Sequence, residues 1–188
     1  MRISKQQATA NRERILAEAA RLFRERGLAG VGVDALAEAA GMTHGALYSQ
    51  FGSKERLAAE ALNHALENSA ARAGQAATLT ELAAGYLSER HRDAPGRGCA
   101  IAALGAEMPR HGGTVRHNFT EGLRRMVARV AALLPAAQAE ARQAAAMAHV
   151  ATLVGALVLA RAVDDPDLSA RILAAARGRV TDAGDPGR

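Results

Sequence analysis

Apolar side chains recur along most of this chain at intervals of three and four residues, which is the period of a helix with one buried face. The first such stretch runs from Thr9 to Arg26 and is closed by Gly27. Its apolar face consists of Ile15, Ala19, Leu22 and Phe23. No stretch alternates apolar and polar residues in the way that predicts a strand. The pattern therefore predicts an all-α protein.

Residues 33–57 read as two short helices followed by the start of a third. Gly41 separates the two short helices, because glycine readily takes the left-handed conformation that ends a helix. A small core is expected from the apolar positions at helical spacing, which are Val33, Leu36, Ala37, Ala40, Met42 and Leu47. Ser53 is the expected N-cap of the third helix. Two short helices joined by a tight turn form a helix-turn-helix, which makes duplex DNA the first partner to consider.

The second short helix keeps small and polar residues on its outward face. Thr43 is expected to cap it, which leaves backbone N–H groups directed at a phosphate. Gly45 and Ala46 are small enough to let the backbone approach base edges, and the ring of His44 can donate or accept hydrogen bonds. The side chains of Tyr48, Gln50 and Lys54 are expected to contact the sugar-phosphate backbone of DNA. Phe51 is expected to be buried instead.

These residues resemble the TetR family of bacterial transcriptional regulators. The resemblance covers about residues 9–60 and rests on Leu36-Ala37, Gly41, Gly45, Leu47-Tyr48, Phe51 and the run Ser53-Lys54-Glu55-x-Leu57. It implies that bases are read by His44, Gly45 and Ala46, and that phosphates are contacted by Thr43, Tyr48, Gln50 and Lys54.

Two positions depart from the family pattern. Gly32 stands where a Ser or Thr usually caps the second helix, which weakens that cap by roughly a few tenths of a kcal/mol. Gln50 stands where a His is commoner in that family.

The chain remains helical beyond residue 57. A fourth helix follows Ser53 and fades near Gly74. Thr78 and Glu81 form a capping box that opens a helix toward Arg92, and turn residues fill positions 93–98. The remaining predicted helices are one from Cys99 to Met108, one capped by Thr114, one from after Pro135 to Val163, and one capped by Asp165-Pro166.

The last two predicted helices carry more apolar surface than a chain of this size needs to cover by itself. The apolar residues are Met147, Val150, Ala151, Leu153, Val154, Leu157 and Val158 on the first, and Leu168, Ile172 and Leu173 on the second. The resemblance implies a homodimer in which two such helices from each subunit form a four-helix interface. The alternative is that the first is the central helix of its own domain. A membrane span at residues 144–163 is not expected, because the run is largely alanine and contains His149 and Arg161.

A small-molecule effector site is expected in the middle of the chain. The candidate lining residues are Tyr86, His91, Cys99, Met108, Phe119, Leu123, Met126 and His149, and each except Cys99 is equally interpretable as core. Only 3% of the residues are aromatic and none is Trp, which favours a small or flexible effector over a large flat aromatic one.

Cys99 is the candidate with the most reactive side chain. It stands at an expected helix start after Arg97-Gly98, where the helix dipole and a nearby cation would favour a reactive thiolate. The segment from Gly98 to Met108 is similar to that of TetR-family members in which a Gly-Cys pair opens this helix, some of which respond to reactive compounds. The alternative is a buried packing role, which leaves a non-covalent ligand as the effector.

Composition sets the remaining limits. The 188 residues carry a net charge of +5, and nine basic against six acidic side chains lie in the first 56 residues. This balance is compatible with nucleic-acid binding. We expect a DNA-binding domain at 1–56 and an effector-binding and dimerisation domain at 57–188. One cysteine and an amino terminus without an apolar signal core favour the cytoplasm.

The sequence offers little support for catalysis. It contains no Gly-rich phosphate loop, His-Glu-x-x-His motif or nucleophile elbow, so we expect no enzymatic activity, cofactor or metal. The interpretation is a regulator that binds operator DNA, most simply a repressor released by a small molecule or a reactive electrophile. A rival from another class is a helical dimer that binds a ligand or protein but no DNA.

Overall fold

The computed structural model describes residues 5–182, where ten α-helices and two 3₁₀ turns follow one another without a strand. The helices are α1 (Lys5–Arg26), α2 (Val33–Ala39), α3 (His44–Phe51), α4 (Lys54–Gly74), α5 (Leu79–Tyr86), α6 (Glu89–Arg92), α7 (Ala100–Leu104), α8 (Gly113–Leu133), α9 (Ala139–Ala162) and α10 (Pro166–Asp182). The all-α prediction is confirmed. The amino-terminal segment that lacks a signal core, Met1–Gln7, lies mostly outside the described residues.

Side-chain caps set four of these helix starts where the sequence predicts them. The Thr43 hydroxyl accepts a hydrogen bond from the Ala46 N–H at 3.2 Å, and Ser53 and Thr78 cap α4 and α5 in the same way. The Asp165 carboxylate accepts from the Leu168 N–H at 3.0 Å. Each cap satisfies a backbone donor that has no partner within its helix, so local chemistry alone fixes these boundaries.

The stretch from Thr78 to Arg92 forms two helices, and the prediction of a single helix is wrong. Leu87 leaves the helical conformation with a ψ of 36°. The Ser88 hydroxyl then caps α6 by accepting a hydrogen bond from the His91 N–H at 3.2 Å. Serine competes in this way with the helical hydrogen-bond ladder. The break turns the His91 ring back onto Tyr86.

Two further boundaries differ from the expected ones. The helix expected from Cys99 to Met108 is reduced to the five residues of α7, because it ends at Gly105 and Pro109 belongs to a separate 3₁₀ turn. The long helix α8 begins at Gly113, one residue before the expected cap, Thr114. Gly113 has a φ of 55°, a conformation that glycine adopts without strain.

The buried side chains form two cores. One core joins α1–α4 to α7 and includes Phe23, Leu47 and Leu104. The other joins α5, α8, α9 and α10 and includes Leu87 and Leu153. Four partly buried residues contact both cores, namely Tyr86, Leu123, Met126 and Val154.

Helix α4 passes from the first core to α8 and holds the two parts of the fold together. A Cβ atom at Gly122 would lie only 2.5 Å from a methyl carbon of Leu66, so the two helices touch through a glycine. The Asn118 amide donates a hydrogen bond to the Ala59 carbonyl at 3.1 Å. Close packing and a polar contact thus fix α4 against α8 on one side and against the helix-turn-helix on the other.

Candidate DNA-binding surface and effector region

The helix-turn-helix has the geometry that its sequence predicts. Gly41 takes the left-handed conformation with a φ of 63° and turns the chain from α2 into α3. Leu36, Leu47 and Phe51 are buried in the shared core, which confirms the expected burial of Phe51. The outward face of α3 therefore consists of the polar and small residues that lie between these buried side chains.

All of the expected DNA-contacting residues lie at least partly in solvent. Thr43, His44, Gly45 and Tyr48 are exposed, and Ala46, Gln50 and Lys54 are partly exposed. Tyr48 keeps 39% of its surface in solvent although it is a large aromatic residue. A Cβ atom at Gly45 would meet nothing within 4 Å, so the protein's own packing does not require glycine there. Open space above the backbone is what close approach of a duplex needs.

His44 is held by two neighbours on this face. Its Nδ1 atom lies 2.8 Å from an Asp34 carboxylate oxygen at the start of α2. Its ring also stacks on the Tyr48 ring, with centroids 5.1 Å apart and planes 15° apart. Asp34 was not among the residues expected from sequence. The ten-residue separation gives no local signal, because it spans the turn between two helices.

Arg12 braces the recognition helix from behind. Its guanidinium lies 4.4 Å from the centroid of the Phe51 ring and forms an ion pair with Glu60. It also donates a hydrogen bond to the Gln50 carbonyl at 3.3 Å. One side chain of α1 thus ties the end of α3 to α4, which keeps the recognition helix in a fixed orientation.

Three of the expected effector residues meet where α5, α6 and α7 converge. The His91 ring donates from Nδ1 to the Tyr86 carbonyl at 2.7 Å and accepts at Nε2 from the Cys99 N–H at 2.9 Å. These two bonds require the neutral ring, and burial lowers the pKa of His91 from its ordinary value of 6.5. The Tyr86 ring packs edge-on against His91 with centroids 4.7 Å apart.

The Tyr86 hydroxyl is buried beside Cys99. Within residues 5–182 no hydrogen-bond partner satisfies this hydroxyl. Burial, followed by the neighbouring Cys99, raises the pKa of Tyr86 well above its usual value.

Arginines from three helices hold the backbone of α6 and of the loop that connects it to α7. Arg24 of α1 donates to the Gly96 carbonyl at 2.9 Å. Arg72 of α4 donates to the Arg97 carbonyl at 3.0 Å, and Arg161 of α9 donates to the His91 carbonyl at 2.6 Å. Burial lowers the pKa of Arg24 to about 10. The loop before Cys99 is therefore attached to α1 and to α4, while α6, which precedes this loop, is attached to α9.

The other expected effector residues are more scattered. Leu123 and Met126 lie with Tyr86 at the junction of the two cores. Met108 is buried in the first core, against which Phe119 packs. His149 lies on α9, where burial and then the charge of Arg179 on α10 lower its pKa.

Glu107 makes a contact that sequence reasoning missed. Its carboxylate accepts hydrogen bonds from the Leu28 N–H at 2.9 Å and the Ala29 N–H at 3.4 Å, in the loop between α1 and α2. An open groove of about 470 Å³ lies beside this contact, and Arg26 and Arg110 contribute to its walls. Residues so far apart in the sequence have no spacing that would predict this contact. The carboxylate packs against Gly27, whose left-handed conformation is the one feature here that the sequence suggests.

The apolar residues of α9 divide between two faces. Val150, Leu153 and Leu157 are buried in the core of their own chain. Met147, Ala151 and Val158 are exposed instead. Leu159 of α9 is 57% exposed and Leu168 of α10 is 41% exposed. By length and composition α9 could cross a membrane, and part of it is buried inside the protein.

Comparison with known families agrees with this architecture. Residues 15–61 match the model for bacterial regulatory proteins of the tetR family, and residues 75–176 match the tetracyclin repressor-like C-terminal domain. No curated protein sequence matches at a significant level.

Several solved structures share the fold over nearly the whole chain. A TetR-family transcriptional regulator from Cytophaga hutchinsonii is 21% identical with a TM-score of 0.77, and the alignment covers 100% of both chains. The reduced form of E. coli NemR is 21% identical with a TM-score of 0.75, covering 92% of this chain and 96% of its own. A TetR transcriptional regulator from Chloroflexus aurantiacus is 24% identical with a TM-score of 0.76, covering 94% and 95% respectively.

Similarity at these identities establishes the fold, and the family follows from the two matched models, of which the C-terminal one alone covers more than half of the chain. The chain belongs to the TetR family of bacterial regulatory proteins, which are non-enzymatic DNA-binding transcriptional regulators.

Proposed function

We propose that this protein is a cytoplasmic transcriptional repressor that binds operator DNA as a homodimer and releases it when an effector binds. The observation that supports the proposal is that the segment around α7 and α8, where the effector is expected to bind, is attached to the helix-turn-helix region at two places. Helix α4 starts beside the recognition helix and packs on α8, while Gly96 and Glu107, on either side of α7, both contact the α1 region. A displacement of α7 or α8 would therefore move α3.

The DNA-binding domain comprises residues 1–56, and the effector-binding and dimerisation domain comprises residues 57–188. His44, Gly45 and Ala46 face base edges in this proposal. Thr43, Tyr48, Gln50 and Lys54 contact the sugar-phosphate backbone. The support is that all seven of these residues are exposed or partly exposed.

The second subunit covers the exposed apolar strip of α9 and α10. Met147, Val158 and Leu159 project from one helix and Leu168 from the next, and all four are large apolar residues in solvent. A strip of this kind on two adjacent helices suits a symmetric four-helix interface. We assign it to a second copy of the chain and not to a membrane.

Release from DNA follows a two-state scheme. Recognition helices of a dimer must present themselves to half-sites about 34–36 Å apart. An effector that inserts between the cores near Tyr86, Leu123 and Met126 would displace α8 and tilt α4, so the spacing of the two recognition helices would change. Such an effector binds the released form more tightly than the DNA-bound form, and this difference drives dissociation.

Cys99 offers a covalent version of the same switch. It is buried and lies beside the Tyr86 hydroxyl. Addition of its sulfur to an electrophilic carbon would force bulk into the start of α7, next to the arginine-held loop. The alternative is a structural Cys99 and a non-covalent effector. Helix α7 has only five residues, so its dipole can stabilise a thiolate less than a long helix would.

A map of the genomic fragments bound by the purified protein, followed by titration at increasing salt, tests the proposal. We expect a palindromic site bound with strong salt dependence. A stable dimer that binds no DNA above background would favour the rival function of a ligand- or protein-binding module.

The covalent version is tested with N-ethylmaleimide, to which a thiolate adds across the carbon–carbon double bond while the product takes up a proton. We expect mass spectrometry under native conditions to show one adduct on Cys99, together with loss of operator affinity. A Cys99→Ser protein that still loses affinity, or a Cys99 that reacts only after unfolding, would leave a non-covalent effector.

A further inference from the structure

An acidic residue lies on the surface that faces DNA in the proposed function. Asp34 is in the first turn of α2, and its side chain is 91% exposed. A carboxylate at a DNA-facing surface opposes binding through repulsion of phosphates. Asp34 nevertheless contacts His44, with 2.8 Å between Oδ1 of Asp34 and Nδ1 of His44, and this contact suggests a role for the carboxylate.

The contact fixes the position of a proton. An ionised carboxylate can only accept hydrogen bonds, so the hydrogen in this pair must reside on Nδ1 of His44. In the neutral ring the other nitrogen, Nε2, then carries a lone pair and no hydrogen. An imidazole without such a partner exchanges freely between both tautomers and presents either a donor or an acceptor.

The ring is also fixed in orientation. It stacks on Tyr48 with planes 15° apart, while Asp34 holds one of its edges. The His44 side chain still keeps 53% of its surface exposed. A side chain that is held on two sides and open on a third is preorganised for a directional contact.

We propose that Asp34 is a positioning residue that makes His44 a hydrogen-bond acceptor at Nε2, and so directs it to the exocyclic amino group of a base in the major groove. Adenine N6 and cytosine N4 are the amino donors exposed there, whereas guanine presents only acceptors. This inference rests on the proposed function, because it assumes that α3 enters the groove.

Selection from a library of operators randomised in each half-site tests the inference at about pH 8, where imidazole is ordinarily neutral. We expect the wild-type protein to prefer adenine or cytosine over guanine roughly tenfold at one position per half-site. Whether adenine or cytosine is selected identifies the amino group. Asp34→Ala should reduce this preference to near unity, because the freed ring offers either nitrogen.

Two controls distinguish a role of Asp34 in positioning His44 from an effect of the substitution on the stability of α2. Asp34→Asn keeps an oxygen that accepts from Nδ1 and should retain most of the preference, although it loses the charge that favours the helix start. In a His44→Ala background, Asp34→Ala should leave the remaining base preferences unchanged.

The outcomes distinguish this inference from the proposed function. A wild-type protein that selects no sequence at all would contradict the proposed function. Sequence-selective binding in which Asp34→Ala keeps the wild-type preference, or in which guanine is selected at the His44 position, would overturn the role of Asp34. A His44→Ala protein that is weaker on all sequences alike would show a phosphate contact and overturn it as well.

Discussion

The carboxylate of Glu107 accepts a hydrogen bond from the backbone N–H of Leu28 at 2.9 Å, and so joins the segment between α7 and α8 to the loop that leads into the helix-turn-helix. The approach is close, because a Cβ atom at Gly27 would lie 2.5 Å from the second carboxylate oxygen. The loop between α1 and α2 thus obtains part of its hydrogen bonding from a residue far along the chain.

Replacement of this carboxylate should weaken the fold at the junction. Glu107→Ala removes the acceptor for Leu28 and Ala29, and we expect a loss of about 1–3 kcal/mol in the free energy of unfolding measured in urea. Glu121→Ala is the matched control, because it removes only an exposed pair with Arg124 and should cost less than about 1 kcal/mol. Equal losses for the two variants would contradict the junction role.

The proposed phosphate contacts should act alike on every DNA sequence. Tyr48→Phe and Lys54→Ala remove a hydroxyl and a point charge, and we expect both to weaken binding to specific and random duplexes by the same factor. Lys54→Ala should also reduce the slope of log affinity against log salt by about one. Fluorescence titration at several salt concentrations measures both effects. Arg124→Ala, on α8, is the charge-matched control and should leave the slope unchanged.

Two neighbouring leucines of α9 should respond differently to a charge. Leu159 is 57% exposed, so Leu159→Glu should leave a folded protein that dimerises weakly and loses operator binding. Leu157 is fully buried in its own core, and Leu157→Glu should unfold the chain at a cost of several kcal/mol, roughly that of burying an unpaired charge. Light scattering and circular dichroism distinguish the two results. A wild-type protein that is monomeric at micromolar concentration would remove the basis for the interface.

The neutral form of His91 makes stability depend on pH. Burial lowers its folded-state pKa below 6.5, so the unfolded chain takes up the proton first as the pH falls. The stability that neutral His91 contributes is fully present above pH 6.5, the ordinary pKa of histidine, and is lost as the pH falls through the lowered pKa of the folded state. His91→Gln should therefore flatten the decline in urea stability between about pH 7.5 and about pH 5.5.

Two histidine variants serve as references for this measurement. His117 is exposed on α8, and His117→Gln should keep the wild-type pH profile. The pKa of His149 is also lowered by burial, so His149→Gln should remove a separate part of the decline. A His91→Gln protein with the wild-type profile would show that protonation of His91 does not cause the decline in stability.

Local signals predicted most of the helical architecture. The caps at Thr43, Ser53 and Asp165 and the left-handed turn at Gly41 depend on residues within a few positions of each other, and all four were correct. The break at Leu87 was missed because its signal is the single hydroxyl of Ser88, which competes weakly with an otherwise helical pattern.

Contacts between distant segments could not be predicted in the same way. Asp34 with His44 and Glu107 with Leu28 depend on how helices are arranged in space, and neither pair has a characteristic spacing. The apolar pattern of α9 likewise marked Leu157 and Val158 as equivalent, although one is buried and the other is exposed. A helix with apolar residues on most of its circumference does not reveal which face meets its own chain.

The shared position of Tyr86, Leu123 and Met126 between the two cores has a consequence for sensitivity to an effector. A ligand that inserts there binds only the fraction of molecules in which the cores have separated, so its apparent dissociation constant is the intrinsic one divided by that fraction. Substitutions that loosen this junction would then increase the response to low effector concentrations without adding any contact to the ligand. The effector concentration needed for release would then depend on the stability of the packing between the two cores.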